Sequence, residues 1–123
     1  MSVLRDDAGN TIEIPSMAKI ASLMRNNKWV KRNYPIIKAY VVGSVARGCA
    51  TTQSDIDIAL VIAPVKGKDA LRVTEDYHGR FSRDYQKPHF KNRRLDLQFF
   101  YENDPALANY TKIDIIADGE TNA

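Results

Sequence analysis

Gly43-Ser44-Val45-Ala46-Arg47-Gly48-Cys49-Ala50-Thr51-Thr52-Gln53-Ser54-Asp55-Ile56-Asp57 is the stretch on which this chain of 123 residues turns. A β-branched run, Ile36-Ile37-Lys38-Ala39-Tyr40-Val41-Val42, leads straight into its Gly43-Ser44 turn, and a second run from Ser54 to Ile62 carries its two acids. Strand alternation puts Asp55 and Asp57 on one face of the second run, with Ile56 and Ile58 on the other. Like charges held side by side repel, so one carboxylate takes up a proton or both share a cation. Magnesium takes carboxylate and phosphate oxygens and keeps several waters, so a carboxylate pair facing a substrate phosphate is a natural site for it. Taken alone, Asp-x-Asp is more often a solvated edge strand.

The turn argues against that blander reading. Glycine at position 43 lets backbone approach a phosphate with no Cβ in the way. A helix starting within residues 44–46 would aim its free N–H groups, and the positive end of its dipole, at an anion. The Ser44 hydroxyl adds a donor, although a serine in this position also serves as a plain helix cap. Seven residues (Gly43, Ser44, Arg47, Gly48, Ser54, Asp55 and Asp57) stand at fixed spacing. At ordinary residue frequencies their coincidence is on the order of 10⁻⁹ per start position.

Gly-Ser-x-Ala-Arg-Gly, five variable residues and Ser-Asp-x-Asp together resemble the nucleotidyltransferase superfamily that includes DNA polymerase β. With little chain beyond the recognisable core, it looks like the superfamily's minimal nucleotidyltransferases. The resemblance implies an α+β fold: a polymerase-β-like core with a mixed sheet and helices mainly on one face. It also implies a third carboxylate on a later strand. Arg94-Leu95-Asp96-Leu97-Gln98-Phe99-Phe100 is the best candidate, because Asp96 falls on the face opposite Leu95 and Leu97. Asp84 sits in an expected helix and Asp114 in a C-terminal amphipathic stretch, where both read as surface charges.

In the family's chemistry Asp55 and Asp57 hold two Mg²⁺ ions. Asp96 shares one of them and orients an acceptor hydroxyl for in-line attack on the α-phosphorus. Gly43 and Ser44 hold the β and γ phosphates, and catalysis is mainly positioning and charge neutralisation. Arg47 reads either as a phosphate contact or as a lock between the turn and a neighbouring loop. Gly48 and Ser54 read as structural.

Composition agrees with one compact unit, a single domain over residues 1–123 with a recognisable core at about 36–119. No apolar run reaches 18 residues and no leader pattern opens the chain, so a cytoplasmic protein without a membrane span is expected. Cys49 is the single cysteine and is given no role. A formal charge of +3 suits a phosphate-rich substrate without requiring nucleic acid. Residues 3–14 read as a hairpin around Asp7-Ala8-Gly9-Asn10, or as a loose arm. Helices are expected from Pro15-Ser16 to about Lys31, from Asp69 to about Tyr85, and from Pro105 to Ala117. Met17, Ile20, Leu23 or Met24, and Val30 form the stripe of the first, and Trp29 is expected against the sheet or a partner.

Other features carry less. Lys66-Gly67-Lys68 lacks the spacing of a Walker loop and reads as a solvated turn. His78 and His89 have no partners at metal spacing. Lys91-Asn92-Arg93-Arg94 reads as a charged loop whose position could bring it to substrate or to an acidic partner. The tyrosines show no stacking-platform pattern, so direct nucleic-acid binding ranks low.

The minimal nucleotidyltransferases commonly act as antitoxins of HEPN-type ribonuclease toxins, transferring AMP from ATP to a toxin tyrosine. The resemblance makes ATP and such a toxin the expected substrate and partner, with oligomeric state left open. Two alternatives stand beside it: a non-catalytic antitoxin that neutralises by binding, and a subunit modifying a small molecule such as an aminoglycoside.

Overall fold

The structure, a computed structural model, describes residues 4–24, 35–83, 85 and 87–115. Among the described residues five strands form one sheet: β1 (Ile36–Val42), β2 (Ile56–Ile62), β3 (His89–Phe90), β4 (Arg93–Tyr101) and β5 (Ile113–Asp114). Their order is β3-β4-β2-β1-β5. β2 and β4 pair in parallel and every other pairing is antiparallel, so the sheet is mixed.

Alternation along the strands builds the core. Ala39 and Val41 of β1, Ile56, Ile58, Leu60 and Ile62 of β2, and Leu95, Leu97 and Phe99 of β4 face one side and are buried together. Onto them pack Ile20 of α1 (Met17–Leu23), Val45 of α2 (Gly43–Arg47), and Val73 and Tyr77 of α3 (Ala70–Arg80). Each such fully buried side chain contributes roughly 1.5–3 kcal/mol. The opposite face holds a smaller cluster of Val42, Ala59, Val61 and Phe100, covered by Leu107 of α4 (Pro105–Ala108). The architecture is therefore α+β with helices mainly on one face, as the motif led us to expect.

β3 is too short to cover β4, and α3 completes the job. The Phe99 N–H donates to the Thr74 hydroxyl (2.9 Å), and His78 Nε2 donates to the Leu97 carbonyl (2.7 Å). A strand edge that would otherwise be open for pairing is closed by helix side chains.

Helix boundaries are where the structure departs from expectation. Ser16 caps α1 as expected, accepting from the Lys19 N–H. The helix stops at Leu23, however, because Met24 turns extended (ψ 128°) and is buried in the core. The remainder of that expected helix, Trp29 and Val30 included, lies outside the described residues. Asp69 caps α3, which ends at Arg80 rather than Tyr85 as Phe81 leaves the helical region and is buried. Tyr85 is exposed, and Asp84 lies outside the described residues.

The largest correction concerns the C-terminal segment. Of the expected helix from Pro105 to Ala117, the described residues form only α4, one capped turn, after which the chain extends into β5; residues 116 and 117 lie outside the described residues. The cause is the outer edge of β1, whose backbone groups need partners. Ile113 pairs with Val41, Asp114 with Tyr40, and the Ile115 N–H donates to the Ala39 carbonyl (3.0 Å). Asp114 is exposed, as expected, but on an edge strand beside Lys38 (3.7 Å).

The N-terminal segment makes an antiparallel bridge between Arg5 and Thr11. Asp6 anchors it, accepting from the Ala8 and Asn10 N–H groups, from Asn10 Nδ2, and from Arg93 Nη2 at 2.8 Å. Burial alone would raise the Asp6 pKa, but the Asn10 and Ala8 hydrogen bonds and the Arg93 charge outweigh it and hold it below the ordinary value. Lys66-Gly67-Lys68 is an exposed turn, with Lys68 Nζ on Asp76 at 2.7 Å.

Candidate active site

The chain leaves β1 through Gly43, whose φ of +71° is a left-handed conformation that glycine adopts without strain. A Cβ at this position would overlap the Asp57 carboxylate, so the glycine also makes room for an acid on the neighbouring strand. Val42 occupies the cap position of α2 without a side-chain bond, which leaves the Ser44 hydroxyl unspent as a cap. Gly48 closes the turn at φ +76°, with its N–H returned to the Ser44 and Val45 carbonyls.

β2 and β4 run in parallel with Asp57 opposite Asp96. Both acids lie on the sheet face away from α1 and α3, since Ile56, Ile58, Leu95 and Leu97 fill the helix-packed side. Their closeness acts on the Asp57 carboxyl, whose pKa is pushed up to about 6. Partial burial is the main cause, followed by the Asp96 charge, a hydrogen bond with Asp96, and the Asp55 charge, while Arg47 opposes the shift. A half-buried carboxylate crowded by two others calls for a cation.

Arg47 supplies part of that charge from α2. With Val42, Gly43 and Asp57 it lines a cleft of about 390 Å³ that continues to Gln98, Asn109, Tyr110 and Thr111.

Asp55 is turned away from this cleft. Its Oδ2 accepts from Arg94 Nη2 (2.7 Å) and Arg94 Nε (3.1 Å), and together the pair lines a second cleft of about 270 Å³ on the β3 side. Among the described residues no three His, Cys, Asp or Glu side chains stand ready-grouped for a metal. The donor chemistry still fits a divalent cation: Asp57 and Asp96 are adjacent, Asp55 is close enough to act on Asp57, and all three are hard oxygen ligands.

Of the residues picked out in the sequence, Gly43, Arg47 and Asp57 share one cleft, Ser44 sits within the same turn, and Asp96 lies beside Asp57. Asp55 stands apart, held by Arg94. That arginine and Arg93 open β4 rather than forming part of a charged loop, because their backbones pair with His89 and Phe90. Arg93 pins the 51–54 loop through the Thr51 and Ser54 carbonyls (3.0 and 2.9 Å). The Asp55–Arg94 pair was readable in principle: if Asp57 opposes Asp96, the residues two before each also oppose. His78 reaches within 4.0 Å of Asp96 Oδ1 while donating to Leu97, a placement that metal spacing could not reveal.

A protein-family profile described as "Nucleotidyltransferase domain" matches residues 23–118, most of the chain and all of these side chains. This protein belongs to the nucleotidyltransferase domain family. The family is part of the polymerase-β-like superfamily, whose members transfer nucleotidyl groups and use divalent metal ions in catalysis. Among solved structures, the nucleotidyltransferase resembles a Sulfolobus solfataricus protein provisionally described as a nucleotidyltransferase. The two are 22% identical, the match covers 79% of each chain and the TM-score is 0.49, a likeness on which nothing further rests. No curated protein matches the chain. Among the described residues no helix is long and apolar enough to cross a membrane.

Proposed function

We propose that this nucleotidyltransferase moves AMP from ATP to a hydroxyl acceptor, the acceptor oxygen losing its proton and bonding the α-phosphorus as the bond to pyrophosphate breaks, and that the acceptor is a tyrosine of a HEPN-type toxin which the transfer silences. The observation that carries the chemistry is the pairing of Asp57 with Asp96, where the Asp57 carboxyl is pushed up to about 6 at the head of the cleft shared with Gly43 and Arg47. The partner rests on the resemblance to minimal nucleotidyltransferases.

In this reading the α2 turn receives the phosphates. Gly43 brings backbone close, Ser44 donates its hydroxyl, and Arg47 contributes positive charge from within the cleft. Asp55, Asp57 and Asp96 would hold Mg²⁺, two ions as in other superfamily members, which would neutralise the triphosphate and lower the pKa of the acceptor hydroxyl. Asp96 lies on the β3 side of Asp57, farther from Gly43, and in this reading it faces the acceptor. The phosphate turn on β1 and the acceptor side at β4 therefore flank the carboxylates, as displacement with opposed attacking and leaving oxygens requires.

The test incubates the protein with labelled ATP, Mg²⁺ and the product of the adjacent gene, with Asp55→Ala and Asp57→Ala in parallel; an adjacent gene that encodes no HEPN-type protein counts against the toxin. Label on a toxin tyrosine that disappears in both variants supports the reading. Neutralisation that survives both substitutions indicates binding alone, and turnover of an aminoglycoside with no labelled protein overturns the protein acceptor.

A further inference from the structure

We infer that the far end of the main cleft is a nucleobase subsite, with the ring of Tyr110 as its stacking platform and the Gln98 and Asn109 amides beside it. The inference rests on Gly43, Arg47 and Asp57 forming the phosphate end of that cleft.

A nucleotide is charged at one end and flat and aromatic at the other. The cleft is lined in the same way, with Gly43, Arg47 and Asp57 joined to Gln98, Asn109, Tyr110 and Thr111. Its volume of about 390 Å³ lies within the range of small-molecule sites. Tyr110 is 42% exposed, yet its position is fixed. Phe100 meets it edge to face (5.7 Å between centroids, 85°), and its N–H donates to the Leu107 carbonyl (3.1 Å). An edge-to-face contact engages at most one face of the tyrosine, so the other stays available to a flat ligand.

The local sequence builds this mount. Asp104 caps α4 by accepting from the Ala106 N–H (2.9 Å), Pro105 starts the turn, and Leu107 plugs the open-face cluster. After this single turn Asn109 closes the helix, and the chain reaches Tyr110 before β5 begins. An anchored aromatic ring on the wall of a polar cleft suits a ligand with a π-face. The Gln98 and Asn109 amides that line the same cleft offer donors and acceptors for a base edge, in the way that asparagine and glutamine read adenine.

The probes are α,β-methylene-ATP and inorganic tripolyphosphate, each titrated with Mg²⁺ by calorimetry into the wild-type protein, Tyr110→Ala and Tyr110→Phe. Stacking worth about 1–3 kcal/mol per base corresponds to a loss of roughly 5- to 150-fold in nucleotide affinity for Tyr110→Ala. Tripolyphosphate affinity should stay within about twofold, which also reports that the variant is folded, and Tyr110→Phe should bind the nucleotide like wild type. Equal loss of both ligands in Tyr110→Ala, no loss of the nucleotide, or loss in Tyr110→Phe overturns the subsite. Wild-type protein that binds tripolyphosphate as tightly as the nucleotide overturns the subsite alone. Wild-type protein that binds neither overturns the phosphate-end reading and the subsite with it.

Discussion

The central strands β2 and β4 and the C-terminal run from Pro105 to Ile115 line the same cleft, yet they reach their places by different rules. In β2 and β4 the two-residue period, the strand-favouring residues (β-branched in β2, aromatic in β4) and the acids agree, and one local pattern specifies strand, buried face and chemistry together. In the C-terminal run Ala106, Tyr110 and Ile113 recur at helical spacing, while Ile113 and Ile115 alternate as in a strand. What decides there is remote: β1 has an unpaired edge, and the run extends to satisfy it. Local agreement gives structure that can be read from sequence, whereas a segment serving another element's needs can be read only once that element is placed.

The largest expected effect is at the centre. Asp57→Asn should lower nucleotidyl transfer at least about 10²-fold in a labelled-ATP assay, since it removes a charge from the reacting centre. The same change should raise the melting temperature of the metal-free protein at neutral pH. Asp57 is pushed up to about 6, so the native state keeps a proton that the unfolded chain releases near its ordinary value of 3.8. Stability from this group is full below about pH 4 and is lost as pH rises through about 6. Melting curves across that window should fall for the wild type and stay flatter for Asp57→Asn.

Next comes the packing beneath the carboxylates. Ile58 is fully buried, and Ile58→Ala should cost about 2–5 kcal/mol in urea unfolding. A C-terminal counterpart is Ile115→Pro, which deletes the N–H bonded to Ala39. Its expected cost is about 1–3 kcal/mol, and it should lower nucleotide affinity disproportionately because the run that carries Tyr110 loses a bond to β1. A loss in Ile115→Pro as large as in Ile58→Ala would erase the distinction between the two regions. The smallest effect is on the surface, where Lys38→Ala removes an exposed 3.7 Å pair with Asp114. Its change in unfolding free energy should stay below about 1 kcal/mol and shrink further in salt.

Much of the sheet and the grouping of Gly43, Arg47, Asp57 and Asp96 was legible because each follows from alternation and a fixed spacing. Helix starts were legible where a capping side chain announces them, as Ser16 and Asp69 do. Helix ends were not, because Met24 and Phe81 stop their helices by turning into a core whose shape is set elsewhere. The Asp55–Arg94 pair depends on register, which no single strand carries in its own residues. Tyr110 was passed over as one tyrosine among six, and only the early end of α4 brings it to the cleft.

The ladder that runs from Ile56 opposite Leu95 to Ile62 opposite Tyr101 has a consequence beyond holding two strands together. Were β4 to slide by one residue, Leu97 would face the open cleft and Asp96 would be driven beneath α3, into the apolar layer. Burying that charge would be prohibitive, so the same penalty that rejects the misaligned sheet rejects a misassembled carboxylate pair. Proofreading of the reaction centre is thus performed during folding, by leucines and isoleucines that never meet the substrate.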